Sequence, residues 1–128
     1  MSNNGTDRDV AMEILNVLSG ISSALSTINS NLYVPHITTQ PTDVTVASGE
    51  YAEFTVVATN VKSYQWQFKN TAASNPRWEN GAQQGYNTAT YRIAANSSRY
   101  AHLYRCEITG LDDSIIYTDE VKMIAPET

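Results

Sequence analysis

The apolar residues of this chain change their spacing once, at Tyr33–Val34–Pro35, and that change divides it into two parts that must fold differently. Before it, Ile14, Ile21 and Ile28 recur at heptad spacing, Val10, Val17 and Ala24 form a second series, and Ala11, Leu18, Leu25 and Leu32 a third. Together they make one broad apolar stripe on an α-helix. Thr6 followed by Asp9 gives a capping signal, and Asp7, Asp9 and Glu13 favour the positive end of the helix dipole. The spacing predicts an amphipathic helix over residues 7–32, about 39 Å long at 1.5 Å per residue, after a disordered 1–6. Its opposite face is polar but nearly uncharged, and Gly20 with several serines lowers intrinsic helicity. Such a helix needs a partner. Val10, Ile14, Val17, Leu18, Ile21, Leu25, Ile28 and Leu32 would supply the contact, either in a homo-oligomer, a trimer being favoured, or against the chain's own second part.

Pro35 ends the helical pattern and biases Val34 to an extended conformation. After a linker at 33–36 the period becomes two. Phe54, Val56 and Ala58 alternate with polar neighbours, as do Tyr64, Trp66 and Phe68, and Ala89, Tyr91 and Ile93. Turn signals fall at Gln40–Pro41, Ser48–Gly49–Glu50 and Gly110–Leu111–Asp112–Asp113, with a loop-rich stretch from Asn70 to Gln84 and a single long final strand from Ile115 to Ile124. Seven or eight short strands over 37–125 predict a mainly β sandwich, with 126–128 as a tail.

Charge and cysteine content narrow the function. The chain carries 13 acidic and 8 basic side chains and a formal net charge of −5. Without a basic cluster, neither nucleic acid nor an anionic membrane is an expected partner. The lone Cys106 cannot close an intramolecular disulfide, and with only His36 and His102 it cannot complete a zinc site. No secretory signal or membrane span is read in the chain, so folding in a reducing cytoplasm is expected.

Specific residues now point to a family. Trp66 in Tyr64–Gln65–Trp66–Gln67, followed by Leu103–Tyr104–Arg105–Cys106, resembles the strand C tryptophan and strand F Tyr-x-Cys of immunoglobulin domains. With Gln40–Pro41, Gly49 and Phe54-x-Val56-x-Ala58, the pattern is most similar to bacterial and bacteriophage immunoglobulin-like modules. The resemblance covers about residues 37–124. It implies that Trp66, Tyr104, Cys106, Val56 and Phe54 are fold-core residues. It also implies that Tyr104 forms the tyrosine corner and that Val56 stands where the strand B cysteine would be. Cys106 is then half of a missing bridge, buried as a small hydrophobe. The chain departs from the family in lacking an acidic residue just upstream of the corner.

Candidate chemistry is sparse. Cys106 with His102 as base would need an exposed, electropositive setting, and the two lie about 13 Å apart along one strand. Asp112, Asp113, Asp119 and Glu120 supply oxygens for calcium but without a known loop spacing, so a solvated acidic hairpin is the simpler reading. Trp78 and Tyr86, with Tyr51, are candidates for a sugar-binding aromatic face, against packing of Trp78 along the sandwich edge. Asn4 and Asn96 sit in glycosylation sequons read as chance. Neither a phosphate loop nor a catalytic constellation appears, and no cofactor is implied.

The expectation is therefore a non-catalytic phage virion accessory protein: a head-decoration, head-fibre or tail-fibre component. The helix would assemble it or dock it on a capsid or tail protein, and the sandwich would adhere weakly to a cell-surface glycan. A bacterial adhesion or scaffold module is the main alternative. An accessory ligand-binding domain of an enzyme would require a deep pocket with convergent polar groups.

Overall fold

The computed structural model describes Gly20, Ile21 and residues 32–127. Two compact units, Met1–Tyr33 and Val34–Thr128, make up the chain. In the first, Gly20 and Ile21 are helical and Leu32–Tyr33 is a turn. The rest of the expected helix 7–32, with its assembly residues other than Ile21 and Leu32, lies outside the described residues.

The second unit is all strand and turn apart from one 3₁₀ turn. Its elements are β1 His36–Thr39, β2 Val44–Thr45, β3 Tyr51–Thr55, β4 Val57–Thr59, β5 Val61–Asn70, β6 Trp78–Asn80, β7 Thr90–Ala94, the 3₁₀ turn Arg99–Ala101, β8 His102–Gly110, β9 Ile115–Tyr117 and β10 Met123–Ile124. They form two layers. In one, β1 pairs antiparallel with β4, and β3 with β7. The Val56 amide donates to the Ala89 carbonyl at 3.0 Å, so β3 and β4 run on as one interrupted strand beside β7. In the other layer β6, β5, β8 and β9 lie side by side, with β10 parallel to β2 at the far edge.

One expectation is refined and one corrected. The loop-rich stretch Asn70–Gln84 is not without a strand: Trp78–Asn80 pairs with Gln67–Lys69 as edge strand β6. Pro76 and the polar run before it mask this short element, and only the partner strand brings it out. Ile115–Ile124 is not one strand either. It breaks at Thr118, whose hydroxyl accepts the Cys106 amide at 2.8 Å and donates to the Asp119 carbonyl at 3.0 Å. The strand then rejoins β8 through paired bonds between Tyr104 and Val121. A side chain has taken one rung of the ladder, which apolar alternation cannot reveal.

The first strand changes layers at Gln40–Pro41. Pro41 has no amide to continue a ladder, and the chain crosses from β4 in one layer to β10 in the other. Gln40 and Asp43 hold the crossing by accepting the Asp119 and Lys122 amides at 2.8 and 3.0 Å. On the opposite flank, the segment after β6 laces the layers together. Its Tyr86 carbonyl accepts the Trp66 amide at 2.7 Å, while Gln84 accepts the Arg92 amide at 2.8 Å.

Between the layers lies an aromatic core. Trp66 and Tyr91 stack with centroids 5.8 Å apart, and Phe54 stacks on Tyr104 at 5.3 Å. Val56, Ile93, Cys106, Ile108, Val121 and Met123 fill the remaining volume. Full burial of each large side chain contributes about 1.5–3 kcal/mol. The Trp66 indole donates to the Thr88 carbonyl at 2.8 Å. Among the described residues, no buried side-chain nitrogen or oxygen lacks a partner.

Candidate binding face

The four-stranded sheet has an outward surface that alternation builds directly. Trp66 and Phe68 point inward, so Gln65, Gln67 and Lys69 point out. Residues opposite one another in an antiparallel ladder share a face. The register therefore aligns Asn80, Gln67 and Arg105 in one row, Trp78, Lys69 and Leu103 in a second, and Gln65, Glu107 and Tyr117 in a third.

At the centre of this face Arg105 lies between two rings. Its guanidinium carbon is 4.2 Å from the Trp78 centroid and 4.0 Å from that of Tyr117. Lys69 places its ammonium 5.0 Å from the Trp78 centroid. Below them, Gln67 is buried, unusually for a glutamine on an outward row. Its oxygen accepts Arg105 Nε at 2.9 Å, and its amide nitrogen donates to Asn80 at 3.1 Å and Glu107 at 3.4 Å. The Tyr117 hydroxyl donates to the same Glu107 oxygen at 3.3 Å. The network holds Arg105 and both aromatic flanks in one arrangement. A partner meeting this face finds little side-chain freedom left to lose.

The other candidates fall apart in space. Tyr51 lies on the outer surface of the opposite layer under Arg92, whose guanidinium carbon is 3.9 Å from its ring. Tyr86 is on the lacing segment, half-exposed. Among the described residues, no ring contact joins Trp78, Tyr86 and Tyr51 into a platform, and the Trp78 ring is engaged by two cations. Trp78 stands on edge strand β6, the edge packing that the sequence sets against a sugar face. What sequence reading missed is Arg105 with Tyr117. The signal was available, because once Tyr104 and Cys106 face inward, Arg105 must face out.

Cys106 is fully buried beside the Trp66 strand, and burial pushes its thiol up to about 12. A thiol so placed is not a nucleophile at neutral pH. His102 stacks on Phe68 with centroids 5.3 Å apart, and burial followed by the nearby Arg99 charge lowers its pKa. The hairpin acids are also separately engaged. Asp112 accepts the Ser114 amide and hydroxyl at 3.0 and 2.7 Å, and Asp113 pairs with Lys62 at 2.6 Å. Among the described residues, no group of three or more His, Cys, Asp or Glu side chains is placed to hold a metal ion, and no helix is long and apolar enough to cross a membrane.

Layer pairing, the crossing first strand, the buried Trp66 on β5 opposite Cys106 on β8, and the inward Tyr104 define an immunoglobulin-like β-sandwich. No family model matches the chain, and no curated protein matches it. Among solved structures it is similar to Dpr1 IG1, in a crystal structure bound to DIP-eta IG1, with 16% identity and a TM-score of 0.49 over 74% of this chain and 98% of that one. It is also similar to the RIG-5 IG1 homodimer, with 16% identity and a TM-score of 0.49 over 73% of this chain and 98% of that one.

Proposed function

We propose that this chain is a non-catalytic assembly and display module that binds a protein partner through the outward face of its four-stranded sheet. The observation that carries this reading is Arg105 held between Trp78 and Tyr117 on a preformed, open surface. Trp, Tyr and Arg are the residues that dominate binding energy in protein interfaces.

The heptad pattern over 7–32 supports a self-assembling stem, a trimer being favoured, with the sandwich displayed from it. Taken with the resemblance to phage modules, this favours a virion setting: a head-decoration, head-fibre or tail-fibre component docked on a capsid or tail protein. Weak adhesion to a cell-surface glycan is then a property of the displayed array rather than of one aromatic platform. The second reading is a bacterial adhesion or scaffold module whose 7–32 segment packs on its own domain.

Sedimentation of the full chain beside a fragment starting at Tyr33 tests the assembly half. A trimeric or dimeric full chain with a monomeric fragment supports the proposal, whereas two monomers favour the second reading. For the binding half, Arg105→Ala and Trp78→Ala should each weaken attachment to immobilised virions or host cells at least tenfold with the fold intact. Unchanged attachment would remove the face from the mechanism.

A further inference from the structure

A cleft of about 200 Å³ opens at the end of the sandwich where β5 finishes and β8 begins. Phe68, Tyr91 and Ile93 make its apolar wall, and Asn80, Arg99 and His102 its polar lining. We propose that this cleft binds a small organic acid, a carboxylate carried on an apolar ring, with the carboxylate on Arg99 and the ring against Phe68 and Ile93.

Three observations carry the proposal. The first is an unmatched cation. Arg99 is only half-exposed, and Nη1 donates to the Ala94 carbonyl at 2.8 Å. Guanidinium has five N–H donors, and its fork matches a carboxylate. Among the described residues, the ion pairs are Lys62–Asp113 and Arg92–Glu53, so no carboxylate of the sandwich pairs with Arg99.

The second is the imidazole beside it. His102 has Nδ1 3.5 Å from the Tyr104 hydroxyl, and its ring is fixed against Phe68. No hydrogen bond to Nε2 is formed among the described residues. Arg99, Tyr91 and Tyr104 are the titratable groups around it, and none supplies negative charge at neutral pH. Both burial and Arg99 favour the uncharged ring. An incoming carboxylate would reverse the second of these effects.

The third is size. A cavity of about 150 Å³ holds benzene, so this cleft has room for one ring and its acid group. Few polar groups over an apolar wall is the usual composition of a ligand cleft. Only Asn80 is shared with the Arg105 face, where it accepts the Gln67 amide, and the proposal does not rest on the partner proposed there.

The test is a nuclear magnetic resonance titration of the full chain with benzoate, benzamide and acetate, read at the His102 ring and at backbone amides. Benzoate should saturate in the millimolar range, at least tenfold tighter than benzamide or acetate, with shifts confined to residues 68, 80–83, 91–93 and 99–102. It should also raise the His102 pKa. Arg99→Gln should erase the preference for benzoate over benzamide, and Arg99→Lys, which keeps the charge and the turn but not the fork, should retain part of it. Equal binding of benzoate and benzamide, or shifts that do not saturate, would overturn the proposal. N-acetylphenylalanine distinguishes the source: tighter binding than benzoate assigns a chain-terminal carboxylate, weaker binding a free acid, and either supports the shared chemistry.

Discussion

The Tyr100 hydroxyl donates to the Val46 carbonyl at 2.6 Å, tying the 3₁₀ turn before β8 to the strand that has crossed between layers. In the immunoglobulin pattern the tyrosine two residues before the strand F cysteine bonds back to the backbone a few residues upstream. Here that residue is Tyr104, and its hydroxyl has only His102 Nδ1 at 3.5 Å, too long for a strong bond. Tyr104 is instead a core ring stacked on Phe54. The hydroxyl that reaches a distant backbone carbonyl is that of Tyr100, four residues upstream.

Tyr100→Phe keeps the ring and removes the bond, leaving a carbonyl of buried Val46 unsatisfied. The expected loss is about 1–2 kcal/mol, read as a lower urea midpoint with unchanged slope. Removing the Tyr104 hydroxyl by Tyr104→Phe should cost less, an ordering opposite to that of an ordinary tyrosine corner.

Cys106 should resist alkylation by iodoacetamide at pH 8 in the native chain and react at once in denaturant, because burial suppresses its thiolate. The resemblance further places Val56 opposite it. Oxidised Val56→Cys should therefore form a bridge and gain about 2–4 kcal/mol. Failure to cross-link would mean that Val56 and Cys106 do not face each other across the layers as the resemblance implies.

Gly85 and Gly49 make a matched pair. Both have positive φ, +83° and +91°. A Cβ on Gly49 meets nothing, whereas one on Gly85 runs into the Thr90 carbonyl oxygen, a backbone atom that cannot step aside. Gly49→Ala should cost about 1 kcal/mol of strain alone. Gly85→Ala adds a backbone collision on the segment that laces the layers, so its thermal midpoint should fall well below that of Gly49→Ala.

His102 makes stability depend on pH with a definite sign. Its folded pKa lies below the ordinary 6.5, from burial first and Arg99 second, so the unfolded chain takes up a proton more readily. Its contribution is complete above about pH 6.5 and is lost as the pH falls below that value. Between pH 7.5 and 5, the urea midpoint of the native chain should fall more than that of His102→Gln. Parallel curves would mean that the ring is not protected from protonation.

Much of this was legible in the residues themselves. Period-two alternation around Trp66, Phe54 and Tyr91 assigned inside and outside, because a strand has only two faces. Pro41 and Gly49 marked where ladders must stop or turn. The resemblance of Trp66, Tyr104 and Cys106 to the immunoglobulin pattern pointed to the kind of sandwich. None of these depends on distant partners.

What only the tertiary structure decided is which side chains meet. Arg105, Trp78 and Tyr117 stand on three strands, and their stack exists because of the register of β6, β8 and β9. β6 itself became a strand only beside β5. The Tyr100 hydroxyl, and not that of Tyr104, finds a backbone carbonyl, because the crossing of β2 puts the Val46 carbonyl beside the 3₁₀ turn. Alternation sorts residues by face through local geometry. Register, turn length and layer crossing choose neighbours across the chain, and the binding face and the cleft are both built at that second level.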